Sequence, residues 1–127
     1  NIIFVTGDKK GFKISKKRIF HHMGFKIFLV STTQRLKWIK SRYKLQETIY
    51  IGDGLLDYLV MEKIGYSITP NNASNFTKKY CNHVLQRSGG DRAVAEASLY
   101  ILKKFFNIKD FSKIDLKKTK MSGSWSI

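Results

Sequence analysis

Apolar residues recur along this chain in two alternating rhythms: short unbroken runs, and longer stretches at three- and four-residue steps. Ile2-Ile3-Phe4-Val5 is of the first kind and predicts a buried strand ending at Thr6-Gly7-Asp8. Phe12, Ile19, Phe20 and Met23 then line one face of a helix, with Lys13, Lys16, Lys17 and Arg18 mostly outside it, and Gly24 suits its C-terminus. Phe25 to Val30 predicts a second strand. Ser31, Thr32 or Thr33 can cap a helix carrying Leu36, Ile39 and Tyr43 on one side. Thr48 to Ile51 is the third strand, followed by a helix from Leu55 to Lys63 with Leu56, Leu59 and Val60 inward. Gly65 to Ile68 reads as a short strand, Ala73 to Tyr80 as a short helix and His83 to Leu85 as a last strand. Asp91 to Phe106 carries the strongest helical pattern, through Val94, Ala97, Ile101, Leu102 and Phe105.

Alternation of this kind, with short connections, predicts an α/β fold: a three-layer αβα sandwich around an open, mostly parallel, Rossmann-like sheet. Ligands of such sheets bind at the carboxyl ends of the strands. The polar strand ends Thr6-Gly7-Asp8, Ser31-Thr32-Thr33 and Gly52-Asp53-Gly54 are therefore expected to face one crevice. A boundary near Asn107 divides residues 1–106 from a Lys- and Ser-rich tail, 107–127, expected to be mobile; docking of Trp125 is the alternative.

The strand end at Gly52-Asp53-Gly54 carries the most chemistry. Asp57 follows Asp53 by four residues, where a helix can begin, so both carboxylates can point toward one hard cation such as Mg²⁺, with phosphate beside it. The plainer alternative makes Asp53 a turn residue and Asp57 a helix-start carboxylate favoured by the macrodipole. Thr6, beside Gly7, is placed to donate its hydroxyl to a phosphoryl oxygen, or simply to close a turn. Arg35 falls in the first turn of its helix, where the dipole mildly opposes a cation, so a role on phosphate or beside an acid competes with plain solvation. Gly89 and Gly90 precede the last helix and can expose N–H groups to an anion, while Asp91 can equally be its N-cap. His21, His22 and His83 form no ligand cluster in sequence.

Composition narrows the classes. With 127 residues, 43% of them hydrophobic, the chain is one domain at most and can fill a core. No apolar stretch approaches the roughly 18 residues of a membrane span, and Asn1 to Asp8 is no signal peptide. Cys81 is alone, which excludes an internal disulfide and a multi-thiolate zinc site, and a reducing cytoplasmic location is expected. The net charge of +15 is uneven: residues 1–44 hold 12 Lys/Arg against Asp8 alone. That asymmetry admits a nucleic-acid partner through residues 9–44, although a biased coding composition or loss of an acidic segment explains it as well. The chain opens at Asn1 without Met and is within a strand by Ile2, so a preceding segment is expected.

Phe4-Val5-Thr6-Gly7-Asp8, Leu36-Lys37-Trp38-Ile39, Tyr50 to Asp57, Val60 to Tyr66 and Arg87 to Glu96, in this order, resemble the haloacid dehalogenase superfamily. The resemblance runs over about residues 2–106 and is to the small capless branch of sugar-acid phosphatases, of the 3-deoxy-D-manno-octulosonate 8-phosphate phosphatase type. It implies that Thr6 and Arg35 act on the phosphoryl group, Arg35 where the family has Lys, and that Asp53 and Asp57 hold Mg²⁺. Gly7, Gly54, Gly89, Gly90 and Arg92 would line the phosphate and substrate pocket. It further implies a phosphorylated sugar acid as substrate and a homo-oligomer, commonly a tetramer. Related domains are fused to acylneuraminate cytidylyltransferases, which makes such a synthase a candidate partner.

One departure matters more than the matches. The family's Asp-x-Asp, whose first Asp attacks phosphorus and whose second works as acid and base, has no counterpart in the sequence. Asp8 is no substitute, since it belongs to the Thr6 segment and precedes lysines. The expectation is that the first, nucleophile-bearing strand is absent from this chain. Three readings follow: the C-terminal part of a longer phosphatase, an inactive relative, or a chain completed by another. The functions in view are therefore a Mg²⁺-dependent phosphomonoesterase, a noncatalytic domain for phospholigand binding or assembly and, less favoured, a nucleic-acid-binding module.

Overall fold

The computed structural model describes residues 1–113. The chain divides into two compact units, one holding residues 1–34 and the other 35–111. Each is an α/β arrangement in which every strand pair is parallel. Trp125 and most of the 107–127 tail lie outside the described residues.

In the first unit β1 (Ile3–Thr6) pairs with β2 (Lys26–Leu29), Ile3 opposite Lys26 and Thr6 opposite Leu29. The crossover between them is helical: α1 (Phe12–Lys16) runs directly into a π-helical turn, Lys17–His22. Gly24 closes it as the sequence predicts. At φ +75° it takes a left-handed conformation open to glycine; its N–H bonds Phe20 O at 3.1 Å and Phe25 N–H reaches back to Ile19 O at 3.0 Å. The apolar face of this helix is less buried than its periodicity implies, with Phe20 and Met23 47% and 44% exposed.

The second unit begins within α2 (Thr32–Lys40) and centres on a three-stranded sheet, order β3 (Ile49–Ile51), β4 (Tyr66–Thr69), β5 (His83–Val84). The central strand is the most buried: Ser67, Ile68 and Thr69 are fully enclosed. Alternation along β3 sends neighbouring side chains to opposite faces. Ile49 packs with Ile68, Leu85, Ala93 and Ala97 on the side of α5 (Ala93–Phe106). Tyr50 packs with Ile39, Val60 and Ile64, from α2 and the segment around α3 (Tyr58–Met61). Full burial of Val60 or Ile68 contributes about 1.5–3 kcal/mol each.

The predicted helix at Leu55 to Lys63 is split. A 3₁₀ turn, Leu55–Asp57, precedes α3, and Leu56 is 43% exposed rather than inward. Ala73 to Tyr80 contracts to α4 (Asn75–Lys78), capped by Ser74, whose Oγ accepts the Thr77 N–H at 3.1 Å. On α5 the small residues Ala93 and Ala97 face the sheet, while Val94 and Phe105 are 63% and 45% exposed.

Candidate functional site

Because β3, β4 and β5 run parallel, their carboxyl ends share one rim, and the loops leaving them are tied together. Thr69 Oγ1 donates to Gly52 O at 2.8 Å, linking the ends of β4 and β3. Thr77 Oγ1 donates to Gly54 O at 3.3 Å, linking α4 to the turn after β3. Gly89 N–H donates to Asn72 Oδ1 at 2.7 Å, and Asn71 N–H to Arg87 O at 3.0 Å, linking the loops after β5 and β4.

At this rim Arg35, Tyr50 and Asp57 form a closed triangle of hydrogen bonds. Arg35 Nη1 donates to Asp57 Oδ1 at 2.8 Å and to the Tyr50 hydroxyl at 2.8 Å. The Tyr50 hydroxyl donates onward to the same Oδ1 at 2.6 Å. The other oxygen, Oδ2, accepts the Gly54 N–H at 2.9 Å. Burial first, and then the Asp57 charge, drive the Tyr50 pKa well above that of an ordinary phenol, so the hydroxyl keeps its proton for this bond. Gly52 is required by close approach: a Cβ there would strike Asp57 Oδ2 and come within 2.8 Å of Tyr50 Cε1. Arg35 Nε is buried without a hydrogen-bond partner, an uncommon state for such a donor.

Asp53 differs from Asp57 in every respect that decides metal binding. It is exposed on the turn after β3 and makes no hydrogen bond or ion pair among the described residues. Its carboxylate is free to meet a hard cation. Asp57 has committed three of its roughly four acceptor positions, leaving one on Oδ2, enough for a metal-bound water. No group of three or more His, Cys, Asp or Glu gathers among the described residues, so a wholly protein-made cage is not offered. A carboxylate plus waters and ligand phosphate is the coordination Mg²⁺ commonly takes, and Asp53 with the spare position on Asp57 fits it.

The remaining sequence candidates stand as follows. Thr6 lies in the first unit at the end of β1; its Oγ1 accepts the Asp8 N–H at 3.2 Å across Gly7, closing a small turn. Gly90 has φ +87° and Arg92, at the N-terminus of α5, has φ +58°. Arg92 is exposed, and Asp91 pairs with Arg87 at 3.4 Å on the surface. Residues that the sequence pattern did not single out include Tyr50 and Glu96, whose carboxylate accepts the backbone N–H groups of Gln86 and Arg87, both at 2.9 Å. In the sequence Tyr50 enters only as the first residue of the stretch Tyr50 to Asp57, and its alternation with Ile49 on β3 says which face it takes and not what it meets there.

The sequence profile of haloacid dehalogenase-like hydrolases matches residues 14–97, more than half of the chain. The chain belongs to this family. Among solved structures it is similar to the cobalt-bound deoxy-D-mannose-octulosonate 8-phosphate phosphatase of Haemophilus influenzae, at 26% identity and a TM-score of 0.78, over 97% of this chain and 72% of that one. It is also similar to the 3-deoxy-D-manno-octulosonate 8-phosphate phosphatase of Moraxella catarrhalis, solved with a magnesium ion, a phosphate ion and the sugar acid. That match has 24% identity and a TM-score of 0.67, over 80% of this chain and 59% of that one. The Yersinia pestis phosphatase of the same name aligns with a TM-score of 0.65 and 20% identity, over 80% of this chain and 56% of that one. The chain thus spans under two thirds of the length of the last two. No curated protein matches the sequence. Within the family fold, the α/β arrangement and parallel strands expected from the hydrophobic pattern are present.

Proposed function

We propose that this chain carries the phosphate- and Mg²⁺-handling part of a phosphomonoesterase acting on a phosphorylated sugar acid. The observation that carries the reading is the pairing at the end of β3: a buried Asp57 held by Arg35, Tyr50 and Gly54, next to a free, exposed Asp53. The family membership and the phosphatase neighbours support it.

In this reading Asp53 contacts the metal and Asp57 orients one of its waters. Mg²⁺, when bound, neutralises charge on the phosphoryl oxygens. Thr6 and Gly7 keep the phosphoryl-binding role that the family resemblance implies. Arg35, held against Asp57, lends its positive charge to the phosphoryl group. Gly54, Gly89 and Gly90 let backbone approach the ligand, and the exposed Arg92 adds a cation on the substrate side. The attacking carboxylate is one that these 127 residues do not hold in an Asp-x-Asp. The exposed Val94, Leu99, Phe105 and Phe106 of α5 are the surface for a homo-oligomer.

The test is phosphate release from 3-deoxy-D-manno-octulosonate 8-phosphate by this chain joined to an apolar strand ending in Asp-x-Asp. Turnover that needs Mg²⁺ and disappears in Asp53→Asn supports the reading; metal-independent turnover, or turnover retained in the variant, defeats it. The absence of an Asp-x-Asp favours a second reading, a noncatalytic phospholigand-binding domain. Binding of the phosphorylated sugar acid by the joined protein, with no phosphate released, would select it.

A further inference from the structure

The first unit carries a hollow of about 450 Å³ lined by Lys13, Lys16, Lys17, His21 and His22. Between Asp8 and Glu47 the sequence contains no acidic residue at all. None of the five lining side chains has an ion-pair partner among the described residues. Their convergence follows from the backbone. Lys13, Lys16 and Lys17 share a face by three- and four-residue spacing. In a continuing α-helix His22 would stand about 140° around the axis from Lys17, on another face. The π-helical turn Lys17–His22 closes i→i+5 instead, which narrows the angle between residues five apart and turns His21 and His22 toward the lysine face. Phe20 meets His21 edge-on at 5.2 Å.

We propose that this hollow is a binding site for a compact anion carrying two or more phosphate groups. Three lysines and two histidines, all exposed, border one open hollow, so several charged oxygens can be met at once, and none of the five residues has an acidic partner among the described residues. Like charges held together without a counter-charge repel one another, and a multivalent anion removes that repulsion on binding. The hollow suits a small ligand better than a nucleic-acid strand: its five basic residues come from one ten-residue stretch rather than following a longer track, and no Phe, Tyr or Trp lines it to stack bases.

Inorganic triphosphate is the probe. Calorimetric titration at near-physiological salt is expected to show one site, with orthophosphate binding more weakly. The pair Lys16→Gln/Lys17→Gln should weaken triphosphate binding about tenfold or more, while the pair Lys37→Gln/Lys40→Gln, on the exposed part of α2, should not change it. The imidazole NMR signals of His21 and His22 should move with ligand, and that of His83 should stay. Equal weakening by both lysine pairs, or immobile His21 and His22 signals, would overturn the site in favour of diffuse charge. Affinity for single-stranded oligonucleotides that grows with length and exceeds that for triphosphate would overturn it in favour of nucleic acid. Neither lysine pair includes a residue of the proposed phosphatase site, so failure here leaves that proposal untouched.

Discussion

Arg35 Nη1 donates to Asp57 Oδ1 at 2.8 Å, and the two side chains keep only 10% and 5% of their exposure. A pair so enclosed is held by mutual need: both charges have left water, and each is the other's main compensation. Asp57→Ala should therefore destabilise the protein by about 3–5 kcal/mol, since it leaves the guanidinium buried and unpaired. Arg35→Met together with Asp57→Leu should recover much of that loss by removing both charges. Urea unfolding of the three proteins makes the comparison; equal stability of Asp57→Ala and the parent would show that the pair is not enclosed in solution.

Tyr50 gives this cluster a dependence on alkaline pH. A phenol in the unfolded chain ionises near 10.0, and in the folded protein burial and the Asp57 carboxylate hold Tyr50 well above that. The folded state therefore favours the protonated phenol. Its contribution is complete below about pH 10 and is lost as pH rises toward the folded pKa. Tyr50→Phe should cost about 1.5–3 kcal/mol at neutral pH, as expected for a hydrogen bond to a charged group. The gap between the parent and the variant should close above pH 10. A gap constant through that window would contradict the assignment.

The contrast between Arg35 and α5 shows what was legible in the sequence and what was not. Strand and helix positions were readable because they are set by local periodicity: each predicted strand appears within a residue or so of its place, including the short β5. Asp53 and Asp57 stood out because a turn after an apolar run is also a local pattern. The state of Arg35 was not readable. Its burial depends on Tyr50 and Asp57, 15 and 22 residues away, and helix position alone pointed as much to solvent as to a site. Inward faces were misread for the same reason. Val94 and Phe105 have the spacing of core residues, but the sheet beneath α5 is narrow and is covered by Ala93, Ala97, Tyr100 and Ile101. Spacing tells which residues share a face, whereas the width of the partner surface decides how many of them it covers.

Arg92 occupies a left-handed conformation at φ +58°. For a residue with a Cβ that conformation costs about 1–2 kcal/mol. Arg92→Gly relieves it, offset in part by the greater freedom glycine gives the unfolded chain, about 0.5–1 kcal/mol. The variant should therefore unfold at the same or slightly higher urea concentration than the parent. A clear loss of stability would mean that the arginine side chain holds the start of α5.

Glu96 fastens the loop after β5 by accepting the N–H groups of Gln86 and Arg87. These two bonds, Gln86 first, lower its pKa. A carboxylate whose folded pKa is depressed contributes above its unfolded value, and that contribution is lost as pH falls through the folded one. Amide hydrogen exchange at Gln86 and Arg87 should accordingly be slow at neutral pH and become less protected on acidification below the usual carboxylate range. Glu96→Gln should expose both amides at neutral pH, since a neutral amide accepts less strongly and from one oxygen only. Unchanged protection in the variant would show that the Glu96 carboxylate is not what shields these two amides.

Asp53 and Asp57 share a turn but divide its labour, and substitution should separate them. Asp53 is exposed and makes no bond that folding depends on, so Asp53→Asn should alter stability by no more than about 0.5 kcal/mol. Its carboxylate is nevertheless the free hard oxygen at the site, and losing the charge should abolish Mg²⁺ binding measured by calorimetry. Asp57→Asn is expected to behave the other way around. It keeps the side-chain volume but withdraws the charge from Arg35, so the fold weakens, and metal affinity falls only because the turn that presents Asp53 loosens. High salt screens exposed charges more than buried ones. It should therefore weaken Mg²⁺ binding at Asp53 while leaving the stability difference between the parent and Asp57→Asn nearly unchanged. Undiminished Mg²⁺ affinity in Asp53→Asn would remove the metal from this turn, whatever the stability data showed.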